Sequence, residues 1–542
     1  MFDTLHLGVV TVGFIFTVGV VLATACFGRF FCGWGCHILA LQDLSAWCLA
    51  KIGVNPRPLR SRTLAWAPVA AAIYLFVWPQ VERLLHGHSL PELSIVTDRD
   101  EWTSFTTDDL LRSFLGIALT LVTLSVCGFA IVYFLGSRSF CSYACPYGAL
   151  FAGVERTSPR RIVASAGSCT NCGLCIASCK SGVRVIEEVR NYGSVVDSSC
   201  FKDLDCVSVC PTNAIELGWA TPPALRRLKV AEPKDKRYDF NLREEGLLSI
   251  VFLATVLVSR GLYGSISFLL ALAIASLAAY AAVVGWRFAL QSNYSFHGRP
   301  WKIDGKLTRT GRLAAVLLTS LGALLANSTV VRFHEARGES AIARLAHLEA
   351  QGADEASRRA EAASALGYLQ EARRWAPVVP GVWRTQMAAL YLRLGKTNES
   401  RREANAVLAS DPGNQAGQLL VAQSWLADGR IELARQQALA IVADTERRYG
   451  QGPAPLSHRR VLAGAYFLLG DVAGRLGDRT EAREYFESAV ASYSKHADAQ
   501  LALGLLYAEA GRCEEARAAF NAVLLVRPAD ASAKQALSRL RG

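Results

Sequence analysis

Residues 169–179 read Cys169-Thr-Asn-Cys172-Gly-Leu-Cys175-Ile-Ala-Ser-Cys179, four cysteines separated by two, two and three residues. Thiolates are soft ligands suited to iron–sulfur chemistry, and a tight turn brings the first three onto one face of a cube. A second run follows, Cys200-Phe-Lys-Asp203-Leu-Asp-Cys206-Val-Ser-Val-Cys210-Pro211, with an aspartate in place of its second cysteine. The pattern is otherwise the same.

In two-cluster proteins with this spacing the fourth cysteine of a run ligates the other cluster. The expected pairing is therefore crossed. Cys169, Cys172 and Cys175 join Cys210 around one [4Fe–4S] cluster, and Cys200 and Cys206 join Cys179 around the second. Asp203 leaves three readings open. It completes a [4Fe–4S] cluster as a harder oxygen ligand, it marks a [3Fe–4S] cluster with an empty corner, or the second run is a relic. A zinc site made from two Cys-x2-Cys pairs competes with all of these, but it uses four thiolates and leaves three without a role. Lys180 stands where proline usually follows the fourth cysteine.

The chain has 542 residues, 51% of them hydrophobic, and fifteen cysteines, of which eleven fall within residues 32–36, 141–145 and 169–210. Such clustering points to metal ligation more than to a disulfide framework. Six apolar stretches, residues 5–26, 63–81, 114–136, 244–259, 266–288 and 311–331, are expected to cross a bilayer, which needs ~20 residues. Arg260 and Gly261 cut the fourth short. The first starts almost at Met1 with no basic leader, so a cleaved signal peptide is not expected.

Charge alternates between the connecting segments. Residues 27–62 carry five basic side chains and one acid, 82–113 three against seven, and 137–243 fifteen basic residues. Basic loops stay inside. This places 137–243 in the cytoplasm of a bacterial inner-membrane protein and everything after 331 in the periplasm. The net charge of +12 then reads as topology, and nucleic acid is not an expected partner.

Two further stretches repeat one another: Phe31-Cys32-Gly-Trp-Gly-Cys36-His37 and Phe140-Cys141-Ser-Tyr-Ala-Cys145-Pro146. Each follows an apolar stretch at the expected cytoplasmic face. Internal duplication in membrane proteins often places a site between the repeats. Cys32, Cys36, Cys141 and Cys145 are therefore candidates for an extra cluster or for redox-active thiols, with simple packing as the alternative. His86 and His88 form a weaker His-x-His candidate. Cys26, Cys48 and Cys127 read as packing residues, and Cys513 as an isolated buried thiol.

These turns, the double cysteine insert and the Gly-Ala-Leu after Cys145-Pro146 resemble the membrane-bound polyferredoxins. That family includes the membrane quinol-dehydrogenase component of periplasmic nitrate reductase and the nitrous-oxide reductase maturation polyferredoxin. The resemblance covers roughly residues 1–330. It implies cytoplasmic iron–sulfur clusters and electron exchange with the membrane or periplasm; for the route outward, a quinone site is an alternative to Cys32, Cys36, Cys141 and Cys145. His37 stands where the family often has proline.

Beyond residue 331 the chain turns rich in alanine, leucine and arginine. Gly470, Gly477, Ala482 and Phe486 recur as Gly504, Gly511, Ala516 and Phe520, the tetratricopeptide period. Earlier units share the phase through Tyr391, Gly395 and Pro412, then Trp425, Gly429 and Ala434. An insertion around Gly450–Arg460 separates the pairs, and 346–380 reads as a worn first repeat. Stacked helix pairs leave a concave face for a protein partner.

The expected fold is mainly α. Membrane helices occupy 1–160 and 226–335, a two-cluster ferredoxin-like α+β domain is inserted at 161–225, and an all-α repeat solenoid fills 340–542. The expected function is electron transfer between a cytoplasmic or quinone donor and a membrane or periplasmic redox partner or metalloenzyme docked by the repeats. The alternative is an assembly factor, a metal reductase or redox sensor for an exported metalloenzyme.

Overall fold

The computed structural model describes residues 9–85 (except 11, 55 and 57), 94–95, 117–165, 169–225, 238–449 (except 265) and 456–540. Two compact units emerge: Met1–Gly261 with Ser265–Ala323, and Leu262–Gly264 with Leu324–Gly542. His86 and His88 lie outside the described residues.

Each of the six apolar stretches is mainly helical where described, although Val9–Val10 of the first pairs as a short parallel strand with Ser94–Ile95. Among the described residues three helices, Arg62–Leu85, Phe268–Leu290 and Arg309–Ala350, are long and apolar enough to cross a membrane. Val12–Phe27 and Thr120–Leu135 are apolar but shorter, and Leu242–Ser259 has 18 residues. π-helical stretches at Ile73–Val77 and Ser125–Ala130 interrupt two of them. Leu64, Ile131, Leu135, Leu248, Ala273 and Val283 form the shared buried core. The carboxylate of Glu245 accepts from the backbone N–H groups of Arg62 (2.9 Å) and Thr63 (3.1 Å). It thereby satisfies two of the orphan donors that any helix start leaves and ties the tips of two helices together.

The cysteine-rich insert is closed by an antiparallel strand pair, Arg160–Ala164 with Ile215–Trp219, in the register Arg160 opposite Trp219 and Ala164 opposite Ile215. Pairing the first and last strands of the insert returns the chain to where it left the helices. Short helices at Leu174–Ala177, Val185–Tyr192 and Asp205–Ser208 lie between the strands. Ile162, Val185, Val189, Val195 and Ile215 fill its small core.

Arg309–Ala350 is a single helix of 42 residues, so residues 335–340, where a domain boundary is expected, lie within it. Its end and Glu355–Trp375 make the first hairpin of the second unit, and Gly338 sits at their contact, where a Cβ would lie 3.1 Å from Leu369. Regular pairs follow from Gly381–Arg393 to Cys513–Val526. Gly477 and Gly511 take positive φ of 89° and 74° in the turns, which glycine adopts at no steric cost. Gly470 and Gly504 have a different reason. A Cβ at Gly470 would meet Phe486 at 2.5 Å, and one at Gly504 would meet Phe520 at 2.7 Å.

The insertion shows up partly as lengthened helices, 19 residues at Ile431–Tyr449 and 20 at Leu456–Arg475, against 14 and 13 in the preceding repeat. Residues 450–455 of it lie outside the described residues. Cys513 is exposed, not buried, because it opens its helix. Phe520 is fully buried. Phe520→Ala should cost the repeat unit about 3–5 kcal/mol, measured as a lowered urea midpoint for protection of that unit from proteolysis.

Candidate iron–sulfur sites

The two cysteine runs of the insert share one backbone. Asn171, Gly173 and Gly182 have positive φ of 61°, 73° and 69°, and Lys202, Leu204 and Asn213 repeat them at 58°, 66° and 51°. Each trio sits at matching places in its run. Asp203 therefore occupies the structural position of Cys172. Left-handed residues let three thiols of a run point inward from a single turn, which is why both runs need them.

Cys169, Cys172, Cys175 and Cys210 line one cavity, with Ile186 and Ile215 at its back. The donors come from both runs. Backbone N–H groups of Asn171 and Ala214 reach the sulfurs of Cys169 (3.4 Å) and Cys210 (3.3 Å), the kind of contact that tunes bound clusters. Cys179, Cys200 and Cys206 gather on the other side, and Asp203 lies near enough to raise the Cys206 thiol after burial and Cys200 have done so. Cys200 and Cys206 are buried. Soft donors in sets of three and four fit iron–sulfur clusters. Among the described residues no three His, Cys, Asp or Glu side chains converge on a point that one metal ion would fill. A cube, capped by one thiolate per iron, spreads its ligands more widely than a single zinc.

The repeated turns also share one shape. Phe30–Trp34 and Ser139–Tyr143 are five-residue helices, and Cys36 (φ −86°, ψ 117°) and Cys145 (φ −87°, ψ 111°) are extended caps of the helices that follow. Pro146 takes the first helical position, where its missing N–H costs nothing, and His37 fills the matching place. The structure brings all four cysteines together: Cys36 is close enough to raise both Cys141 and Cys145, and Cys32 raises Cys145. Burial pushes the Cys141 thiol up to about 12 and the Cys145 thiol up to about 11. As free thiols they would be poor nucleophiles at neutral pH. Phe31 and Trp34 of the first turn line an apolar groove together with Phe16, Val20 and Phe27.

Residues that the spacing does not reveal join the insert to these turns. Phe201, 1% exposed, packs with Leu39, Cys141, Cys32 and Cys36. Arg29 and Arg138, equivalent residues of the two turns, stack on it at 4.2 Å and 5.4 Å. A Cβ on Gly33 would stand 2.3 Å from the Phe201 carbonyl oxygen, so glycine is needed for this approach. Lys202 pairs with Glu155, both buried, and Glu155 also accepts from the Arg29 N–H at 2.7 Å. Trp34 Nε1 donates to the Lys202 carbonyl at 3.0 Å. Lys180 pairs with Asp43 (3.7 Å) and Asp205 (3.4 Å).

Removing one partner of a buried ion pair costs about 3–5 kcal/mol, because the other charge is left uncompensated. Glu155→Ala strands Lys202 and takes the carboxylate away from Arg161, which keeps its bonds to the Ser158, Val195 and Glu155 carbonyls. It should detach the insert from the turns, read as faster hydrogen exchange at residues 198–204 and a lower melting temperature.

Three family models match the chain. A 4Fe-4S binding domain covers residues 9–55 and again 118–163, and a 4Fe-4S dicluster domain covers 168–214. Tetratricopeptide repeats cover 385–453 and 467–534. The turn regions and the insert are thus 4Fe-4S ferredoxin-type domains, and the second unit is a tetratricopeptide domain.

Among curated proteins, the methylamine utilization ferredoxin-type protein MauN of Methylorubrum extorquens is 25% identical over 35% of this chain and 61% of its own. The MauN of Methylobacillus flagellatus is 28% identical over 32% and 52%. The putative electron transport protein YccM of Escherichia coli is 29% identical over 33% and 48%. The chain spans about half to three-fifths of these relatives. Of solved structures, a tetratricopeptide protein of Thermus thermophilus aligns to 38% of this chain and 98% of its own, at 21% identity and a TM-score of 0.29.

Proposed function

We propose that this chain is an electron-transfer protein of a bacterial inner membrane, working between a cytoplasmic or quinone donor and a partner at the membrane or in the periplasm. One observation carries the reading: two distant Cys-x3-Cys turns put four cysteines together and hold Phe201 against them, immediately next to Cys200 of the insert. When bound, iron–sulfur clusters supply one-electron oxidation and reduction. Cys169, Cys172, Cys175 and Cys210 would hold one, Cys179, Cys200 and Cys206 a second, and Cys32, Cys36, Cys141 and Cys145 a third. The residues between the last two sets keep water out, since Phe201, Lys202 and Glu155 are all buried.

Membrane placement is supported by the three long apolar helices and by side chains such as Leu313, Val316 and Leu317 that stay exposed. The basic segments then put the insert in the cytoplasm and the repeats in the periplasm. A quinone ring suits the groove of Phe16, Phe31 and Trp34, which is apolar and is lined in part by residues of the first Cys-x3-Cys turn. The repeats would dock the protein partner on their concave face.

The test is to purify the full chain anaerobically in detergent, reduce it with dithionite and add a short-chain quinone. The reading expects reoxidation in the visible spectrum, with quinol formed. A chain that carries no reducible chromophore contradicts it.

A further inference from the structure

Asp203 stands where Cys172 stands in the other run, yet its side chain is engaged elsewhere. It forms an ion pair with Arg138, which comes from the turn just before Cys141 and is 1% exposed. Arg138 has one other carboxylate, Asp43 at 3.4 Å, and Asp43 is shared with Lys180. Ser181 Oγ accepts from the same guanidinium at 3.3 Å. If Asp203 turned to bind iron, the buried cation would lose its main partner, and a carboxylate is a hard ligand for a site of soft donors. The other turn shows the contrast. Arg29 Nη1 donates to the Ser198 carbonyl (3.1 Å) and its guanidinium lies over the Phe201 ring, and Cys172 lines its own cavity.

We propose that Asp203 is a docking carboxylate and not an iron ligand, so that the second set offers three thiolates, Cys179, Cys200 and Cys206, and holds a three-iron cluster. The inference rests on the proposed function, which supplies the cluster. Aspartate replaces cysteine here because the buried Arg138 requires an anion.

The test is low-temperature EPR of the full-length protein, purified anaerobically and oxidised mildly, as wild type, Asp203→Asn, Asp203→Cys and Cys206→Ala. Wild type should show an oxidised three-iron signal. Asp203→Asn, which keeps the shape and removes the charge, should retain it. Asp203→Cys should lose it and gain about one iron per chain. Should Asp203→Cys alone fail to fold, the double variant with Arg138→Met removes the stranded cation as well. A signal that appears only in Asp203→Asn makes Asp203 a ligand and overturns the proposal. So does a signal that survives Cys206→Ala, since the three irons then lie elsewhere. Protein that holds no iron or sulfide in any form instead defeats the functional reading beneath it.

Discussion

Replacing Cys32 and Cys141 together by alanine is expected to remove about four irons per chain while leaving the insert able to accept electrons from dithionite. Quinone-dependent reoxidation should fall by at least the ~10–100-fold that loss of an outer-shell partner costs at a metal site. One cysteine from each turn is lost, so neither half retains a pair that could hold a cluster with the other. The insert depends on neither residue for its own cavity, which Cys169, Cys172, Cys175 and Cys210 line. A double variant that keeps both its iron and its rate would show that the four cysteines only pack against Phe201.

The second large effect separates crossed from local ligation. Cys210→Ala should empty the first site and spare the second, although Cys210 belongs to the second run. Cys179→Ala should do the reverse. The cavity that joins Cys210 to Cys169, Cys172 and Cys175 makes this expectation, as does the proximity of Cys200 to Cys179. Each single variant should lose about three or four irons, and EPR of reduced samples tells which site went. If Cys210→Ala abolished the signal of the Cys200 and Cys206 site instead, each run would serve its own cluster.

The cysteine runs were legible in the sequence because ligand chemistry dictates their spacing, and the repeats because a glycine must make room for a phenylalanine once per period, Gly470 for Phe486 and Gly504 for Phe520. The turns were half legible. Their likeness is a sequence fact, but that Cys32 and Cys36 meet Cys141 and Cys145 is a matter of how the helices pack. Arg29 and Arg138 could have been found by extending that likeness upstream, where both turns read Arg-x-Phe-Cys over residues 29–32 and 138–141 if one intervening residue is ignored. Phe201, Lys202 and Glu155 could not. Nothing in their spacing marks a buried joint, since each takes its role from a partner far along the chain. The uninterrupted Arg309–Ala350 helix also escaped a reading by composition, because polarity changes at residue 331 while the backbone does not.

The iron and acid-labile sulfide content of the full chain, purified anaerobically, decides whether all three ligand sets hold clusters. Three ligand sets, one of them short of a thiolate, predict about eleven irons and about twelve sulfides per chain. A count near eight irons or below would leave the membrane-face cysteines without a cluster and contradict the account.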